Sequence, residues 1–182
     1  MSRNYKFHNP EGVYFISFAV VFWLDVFTRN DYKNIVVDSL RFCQLKKGME
    51  IFAWCIMSNH VCPVFRSAGE QKPGLLIGDF KRLTSKEIVK AIIDNPQESK
   101  KEYLRKHFSK AASNSSNVNG YQFWKHDNHP IELWSNRVID EKINYVHQNP
   151  VKAGLVFRAQ DYLYNSASIM QVKKVYWMVL LL

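Results

Sequence analysis

The sequence predicts a single α+β domain in which helices pack on one antiparallel sheet. Runs of β-branched and aromatic residues at 13–23, 49–57 and 60–66 indicate strands. Apolar residues recur at helical spacing within 36–43 and 75–93. The resulting order, strand, helix, strand, strand, helix, is typical of one sheet covered by helices. A length of 182 residues suffices for one sizeable core.

The first strand and helix have recognisable limits. The segment 13–23 (VYFISFAVVFW) is predicted to be one buried strand. Thr28 is expected to cap the following helix, with Asp31 placed three residues on as in a capping box. Gly48 is expected to end that helix, because glycine readily adopts a left-handed conformation.

The elements that follow are read from the same signals. The strands 49–57 and 60–66 are predicted to form a hairpin around Ser58 and Asn59, and 75–93 is predicted to be a helix. A more polar helix is expected within 97–111, and a surface loop within 113–120. Short strands are expected at 122–125 and 131–134, around a turn at 127–130. Ser135 is expected to cap a last strong helix, which should end before Pro150.

The charge balance favours a polyanionic partner. Lysine and arginine total 25 against 16 acidic residues, a formal net charge of +9. Nucleic acid is the first expectation and an anionic membrane surface the second, although a soluble basic protein without such a partner is equally compatible. Arg82, Lys86 and Lys90 recur at four-residue spacing on the predicted helix 75–93. This stripe is either a DNA backbone contact or an ordinary solvated face.

The three cysteines, Cys43, Cys55 and Cys62, form no C-x-x-C pair, which favours a reducing compartment over a disulfide framework. The N-terminal residues show no apolar signal-peptide core, so we expect a cytoplasmic protein. The apolar run 175–182 is far shorter than the roughly 20 residues that span a bilayer, and we expect no membrane association.

Two constellations carry possible chemistry. His60 and Cys62 are two residues apart on a predicted strand, so their side chains share a face and form half of a metal site. Alone, such a pair more often reflects packing than coordination. Tyr145 and Asn149 are four residues apart on the last predicted helix and lie on one flank of its apolar seam. Tyr145 is either a half-buried aromatic or a nucleophile activated by a nearby cation or base.

The residues at 54–61 (WCIMSNHV) and 145–156 (YVHQNPVKAGLV) together resemble the REP-associated tyrosine transposases. These enzymes belong to the insertion-sequence-200-like group of single-tyrosine DNA transposases, which is named HUH for a His–hydrophobic–His motif. The resemblance covers about residues 5–170, which we take as the domain. The remaining residues, 171–182, form an apolar tail outside the family pattern.

The resemblance implies a ferredoxin-like fold and a role for each motif residue. It implies that His60, Asn149 and the residue at position 62 hold one divalent metal, magnesium or manganese, beside the scissile phosphate. It further implies that Tyr145 attacks single-stranded, hairpin-forming DNA and leaves a 5′-phosphotyrosine bond and a free 3′-hydroxyl. Cleavage, strand transfer and a homodimeric state are all expectations from this likeness.

The sequence departs from the family pattern at its second motif position. Cys62 stands where the second histidine is expected, and Pro63 follows it. A thiolate is a soft ligand that suits zinc better than magnesium, and proline removes a ladder donor from a strand. We therefore expect nicking to be impaired. Three alternatives stay open: a DNA-binding remnant without catalysis, a related replication-initiator or relaxase-type nicking enzyme, and an RNA-binding α+β module.

Several further side chains have two interpretations. Tyr121, Trp124 and Trp134 are candidates for base stacking, although core packing is the more common role for most such residues. His147 lies beside the proposed nucleophile and is a candidate for proton transfer, with a polar helix surface as the more ordinary interpretation.

Overall fold

A computed structural model describes residues 7–114, 120–126 and 129–173, with side chains described as far as residue 170. Within these ranges there are five strands, β1 (Tyr14–Phe15), β2 (Phe18–Ala19), β3 (Met49–Ile56), β4 (His60–Ser67) and β5 (Ile131–Glu132). The helices are α1 (Asn30–Lys47), α2 (Pro73–Asp94), α3 (Lys101–Ser113), α4 (Asn136–Lys152) and α5 (Ala167–Lys173). Short 3₁₀ turns occupy Val21–Trp23 and Ala159–Asp161.

The strands form one antiparallel sheet with β4 inside it. β3 pairs with one side of β4, and β1 and β2 pair in succession with the other side. β5 then pairs with β1 at the outer edge. If β1 and β2 are taken as one interrupted strand, the order is that of a ferredoxin-like sheet. The predicted α+β class is confirmed.

Helices cover both faces of this sheet. Alternate residues of β4 divide between two apolar clusters, because neighbouring side chains on a strand point to opposite faces. Val61 and Phe65 lie in the larger cluster, which includes buried side chains of α1, α2 and α3. Cys62 and Val64 lie in the smaller cluster, which includes Ile143 and Val146 of α4 and other apolar side chains. We call the side that α4 covers the α4 face.

The predicted β3–β4 hairpin, the predicted end of α1 and the predicted cap of α4 are confirmed. The amide of Met57 donates to the carbonyl of His60 across the turn, at 2.9 Å. Gly48 ends α1 with a φ of 70°, a left-handed conformation that costs glycine little. Ser135 caps α4, with its hydroxyl accepting the amide of Val138 at 3.3 Å.

Three predictions at element boundaries are wrong, and the segment 122–125 is not a strand but contributes one isolated bridge, from Trp124 to Val20. The segment 13–23 is not one strand: it breaks into β1, β2 and a 3₁₀ turn. The break falls opposite Pro63, which has no amide to donate, although its carbonyl accepts from Ile16 at 3.2 Å. Thr28 does not cap α1, because the helix begins two residues later, at Asn30, and Arg29 occupies the cap position without a side-chain bond.

The third error concerns the end of α4, which continues through Pro150 to Lys152. Proline cannot donate to the carbonyl four residues earlier, yet this ring is buried against the fold, and packing outweighs the single missing bond. The carbonyl of Pro150 accepts from Leu155 at 2.9 Å, and Gly154 turns the chain with a φ of 70°. Among the described residues, no helix is both long and apolar enough to cross a membrane.

Candidate functional site

Helix α4 holds Tyr145 above the sheet. Ile143 and Val146 of this helix are buried in the smaller cluster. Tyr145 lies between them in the chain, at the edge of this buried stripe. Tyr145 is 43% exposed, and its ring meets Phe15 of β1 edge-on at a centroid distance of 5.8 Å. The packing of α4 therefore leaves this phenol anchored at the ring and accessible to a ligand.

Two cations lie against the same ring. The ammonium of Lys142 is 4.9 Å from the ring centroid of Tyr145, and that of Lys152 is 5.3 Å away. Lys142 also lies 4.6 Å from the ring centroid of Phe15. Such an arrangement attracts a phosphate group toward the phenol.

His60 projects from the beginning of β4 on the same side of the sheet as Cys62, since the two are two residues apart on one strand. The amide nitrogen of Asn59 donates to Asp25 at 3.1 Å and to the carbonyl of Trp23 at 3.4 Å. This orientation turns the side-chain oxygen of Asn59 toward Nδ1 of His60, 2.8 Å away. Nδ1 therefore carries the proton, and Nε2 carries the lone pair.

The electrostatic state of His60 suits ligand binding. Burial lowers the pKa of this imidazole below its usual value, so the ring is neutral at neutral pH. Metal-binding histidines commonly donate their second ring nitrogen to a fixed acceptor, as His60 does to Asn59. His60 thus fits the metal-ligand role that the resemblance implies.

Cys62 does not fit that role. Its side chain is 2% exposed and lies within the apolar cluster under α4. Burial raises the pKa of the thiol to about 11, so it is protonated at neutral pH, and its sulfur is 3.4 Å from the hydroxyl of Ser17. A buried neutral thiol is a poor partner for magnesium or manganese.

Asn149 lies one turn beyond Tyr145 in the direction of His60. The start of α4 is tied to the Val13 end of the sheet by the bond from the amide of Leu133 to Val13, at 2.8 Å. Further along, the side chain of Asn165 donates to the carbonyl of His147 at 2.9 Å. The backbone of Asn165 forms an isolated β-bridge with Cys55. Because Cys55 pairs with Cys62, the helix runs toward the end of β4 that carries His60.

The donor set as a whole therefore falls short of a metal site for a hard cation. His60 and Asn149 offer a neutral imidazole and an amide, but Cys62 offers no charged or oxygen donor. In the part of the chain that the structure describes, no group of three or more His, Cys, Asp or Glu side chains is placed to hold a metal ion.

His147 has a structural partner. Its Nε2 lies 2.9 Å from the hydroxyl of Ser166, a fully buried residue that also accepts the amide of Trp54 at 3.0 Å. Burial lowers the pKa of His147 to about 4. The imidazole therefore links α4 to the chain before α5 as a neutral, half-buried group, which differs from the polar helix surface expected from the sequence.

The predicted basic stripe forms a groove on the other side of the sheet. Arg82, Lys86 and Lys90 line a cavity of about 470 Å³ together with apolar side chains and Tyr121. Helix α2 packs on the larger cluster, whereas α4 packs on the smaller one. The structure brings the three cations together with one another but not with Tyr145.

The candidate aromatics take different places. Trp124 is buried, and its indole N–H donates to the hydroxyl of Thr84 at 2.9 Å, as core packing predicts. Tyr121 is 40% exposed at the rim of the α2 groove. Trp134 is 80% exposed in the connection to α4, so core packing is wrong for this residue.

The sequence reasoning missed Phe15, Lys142 and Lys152, which surround the phenol, and Asn59, which orients His60. Lys142 lies three residues before Tyr145, a spacing that places two residues on the same helix surface, and this spacing was a usable signal. Phe15 comes from a distant strand, and nothing in its local sequence distinguishes it from other core aromatics.

Comparisons with known proteins support the fold. A REP-associated tyrosine transposase bound to a REP hairpin is similar in structure, with a TM-score of 0.66 and 14% identity, over 97% of this chain and 88% of that chain. A putative transposase from Deinococcus radiodurans R1 is similar at a TM-score of 0.46 and 13% identity, over 81% of this chain and 95% of that one. No protein-family model and no curated protein matches. The resemblance inferred from the sequence is thus confirmed at the level of the fold.

Proposed function

We propose that this chain binds single-stranded, hairpin-forming DNA and that Tyr145 is the nucleophile of a strand cleavage and rejoining reaction. The observation that carries this proposal is the placement of Tyr145 over the α4 face, the face from which His60 projects. A phenol between two lysines and an oriented neutral imidazole on one side of a sheet is an arrangement suited to phosphoryl transfer.

The proposed reaction is a transesterification. The phenol oxygen of Tyr145 forms a bond to phosphorus as the bond from phosphorus to the 3′ oxygen breaks. The phenol loses its proton, and the departing 3′ oxygen gains one. The products are a 5′-phosphotyrosine bond and a free 3′-hydroxyl, and attack by another 3′-hydroxyl reverses the step and rejoins the strand.

Lys142 and Lys152 support this step by position. Their ammonium groups flank the ring of Tyr145, where a scissile phosphate would lie. Positive charge there stabilises the additional negative charge on the phosphate oxygens in the transition state. Phe15 packs edge-on against the ring and helps to keep it in place.

We further propose that magnesium or manganese binds only weakly, through His60 and Asn149, because Cys62 is a buried thiol. Cleavage by this chain is then slow. The same observation favours a second candidate function, a DNA-binding protein that retains the fold and hairpin recognition but has lost catalysis. The two candidates differ in whether a covalent bond to Tyr145 forms.

DNA binding and self-association are also parts of the proposal. The net charge of +9 and the groove formed by Arg82, Lys86 and Lys90 suit a DNA backbone. The similar transposase of known structure is bound to a REP hairpin, which makes a DNA hairpin the natural first ligand to test. We also propose a homodimer, on the ground of the family resemblance, and sedimentation equilibrium would measure it.

Covalent trapping tests the proposed reaction. The probe is a hairpin oligonucleotide library with randomised single-stranded flanks and a label at the 3′ end, because the 3′ fragment is the one that stays on the protein. With Mn²⁺ present, we expect a labelled band that survives denaturing electrophoresis. Tyr145→Phe should abolish the band, since phenylalanine preserves the ring contact with Phe15 but lacks the nucleophilic oxygen.

The outcomes separate the two candidate functions. Hairpin binding without any covalent band would support the non-catalytic protein. A covalent band of equal strength in Tyr145→Phe would overturn the assignment of the nucleophile.

A further inference from the structure

We propose that Trp23, Phe22 and Tyr103 form a stacking path for the unpaired bases of single-stranded DNA, and that this path begins beside His60. The inference rests on the proposed function, because it gives the DNA strand a route away from the reaction site. We call these three side chains the aromatic path.

The rings of the aromatic path are exposed, which is unusual for such large apolar groups placed together. Trp23 is 54% exposed, Phe22 is 48% exposed and Tyr103 is 53% exposed. Isolated exposed aromatics are common on protein surfaces, but a contiguous set more often marks a binding site.

Ring contacts link one end of the path to His60 and the other end to α3, and the two ends meet at the consecutive residues Trp23 and Phe22. The ring of Trp23 meets His60 edge-on at a centroid distance of 6.0 Å. Phe22, its neighbour in the chain, meets His107 at 5.8 Å, and His107 lies 4.2 Å from Tyr103. A strand whose scissile phosphate lies near His60 would meet these rings in succession.

The turn that presents Trp23 and Phe22 is held firmly in an uncommon conformation. Trp23 and Phe22 have positive φ values, 56° and 55°, which residues other than glycine rarely adopt. The turn persists because the amide of Trp23 donates to Val20 at 3.0 Å and its carbonyl accepts from Asn59 at 3.4 Å. Asn59 also orients His60, so one side chain fixes both the imidazole and the first ring of the path.

The charge around the path favours nucleic acid over an apolar protein partner. The ammonium of Lys125 lies 4.9 Å from the ring centroid of Trp23. Helix α3 adds the exposed Lys106 and Lys110 near the far end of the path. Cations beside exposed ring faces are the combination by which proteins bind single strands, with phosphates on the cations and bases on the rings. Paired bases in a duplex do not offer their faces in this way.

Binding of a fluorescently labelled oligothymidine, measured by anisotropy, tests the path. We expect Trp23→Ala and Tyr103→Ala each to weaken binding by about 5- to 100-fold, the usual effect of removing one base-stacking ring. Phe42→Ala is the matched control, because it removes a similarly exposed ring, 45% exposed, from α1. Its affinity should equal that of the unchanged protein. Thermal melting confirms that each variant is folded.

A second measurement does not depend on alanine variants. Stacked bases quench tryptophan fluorescence, so oligothymidine should quench the unchanged protein, and Trp23→Phe should remove most of that quenching. Trp54→Phe, which removes a buried indole instead, should leave it in place. Equal affinity and equal quenching in the Trp23 variants would overturn the aromatic path.

The failure of this inference is distinguishable from the failure of the proposed function. If the protein forms the covalent bond through Tyr145 but the Trp23 and Tyr103 variants bind oligothymidine normally, the path alone is wrong. If the unchanged protein binds neither oligothymidine nor hairpin DNA, both proposals are wrong. Weakened binding of an apolar peptide rather than DNA in the Trp23 variants would assign the rings to a protein partner instead.

Discussion

At the scale of single residues, Cys62 is the residue of the proposed site that is least suited to bind a divalent metal. It occupies a strand position that points into the apolar cluster beneath α4. Burial keeps its pKa near 11, and the thiol therefore contributes no charge to the α4 face at neutral pH. His60, two residues away on the same strand, is also neutral, but its imidazole is oriented with a lone pair available to a ligand.

Placing a histidine at position 62 should increase metal-dependent reactivity. We expect Cys62→His to form the Mn²⁺-dependent covalent bond at least about tenfold faster than the unchanged protein, in line with the effect of single groups on metal sites. The measurement is the initial rate of adduct formation with the hairpin library. Cys62→Ala, which adds no ligand, is the control. A folded Cys62→His protein with no increase in rate would refute the impaired-metal interpretation.

His147 makes stability depend on pH. The pKa of this imidazole is lowered to about 4 in the folded protein by burial, whereas an unfolded chain has a histidine pKa of about 6.5. The unfolded state therefore binds the proton more readily, so stability is complete above pH 6.5 and declines as the pH falls toward 4. The expected loss is roughly 3 kcal/mol.

Urea unfolding at a series of pH values measures this loss. His147→Gln can still accept the hydroxyl of Ser166 but does not titrate, so its free energy of unfolding should fall less between pH 6.5 and 4. Some dependence should remain, because burial also lowers the pKa of His60. Identical pH profiles for the two proteins would show that His147 is not the titrating group.

At the scale of elements, α2 and α4 lie on opposite faces of the sheet and have separate proposed roles. Helix α4 presents the phenol, and α2 presents a basic groove. The four-residue spacing predicted that Arg82, Lys86 and Lys90 share one helix surface, but not which face of the sheet that helix covers. That choice depends on which buried stripe packs on which cluster, a property of the assembled fold.

The salt dependence of DNA binding tests the α2 groove. We expect Lys86→Gln combined with Lys90→Gln to reduce the slope of log affinity against log salt concentration by about 0.7 to 0.9 for each lost phosphate contact. Lys46→Gln, which removes one exposed charge from α1, should leave the slope close to that of the unchanged protein. A slope unchanged by the double substitution would assign the stripe to a solvated face.

Local signals predicted elements well where one residue sets the boundary. Gly48 ended α1, Ser135 capped α4, and the β3–β4 turn fell at Ser58 and Asn59. The prediction failed at Pro150, where burial of the ring against the fold allows the helix to continue. It also failed for the first strand, whose interruption depends on Pro63 in a neighbouring strand rather than on its own sequence.

At the scale of the whole molecule, the ferredoxin-like sheet places two distant motifs on one side. His60 begins an inner strand, and Tyr145 belongs to a helix much later in the chain, yet both face the side covered by α4. The paired motifs predicted this association through family resemblance. The lysines around the phenol, the role of Asn59 and the exposed rings beside His60 became visible only in the folded chain, because each involves contacts between separate elements.

Mapping the covalent bond tests the central claim most directly. The hairpin library is incubated with the unchanged protein and with Cys62→His, each with Mg²⁺ or Mn²⁺, and the adduct is digested with nuclease and trypsin. Cleavage after Lys142 and Lys152 releases residues 143–152 as one peptide, and mass spectrometry should find a nucleotide phosphate on Tyr145. A nucleotide on a different residue, or no adduct from either protein with either metal, would contradict the assignment of Tyr145 as the nucleophile.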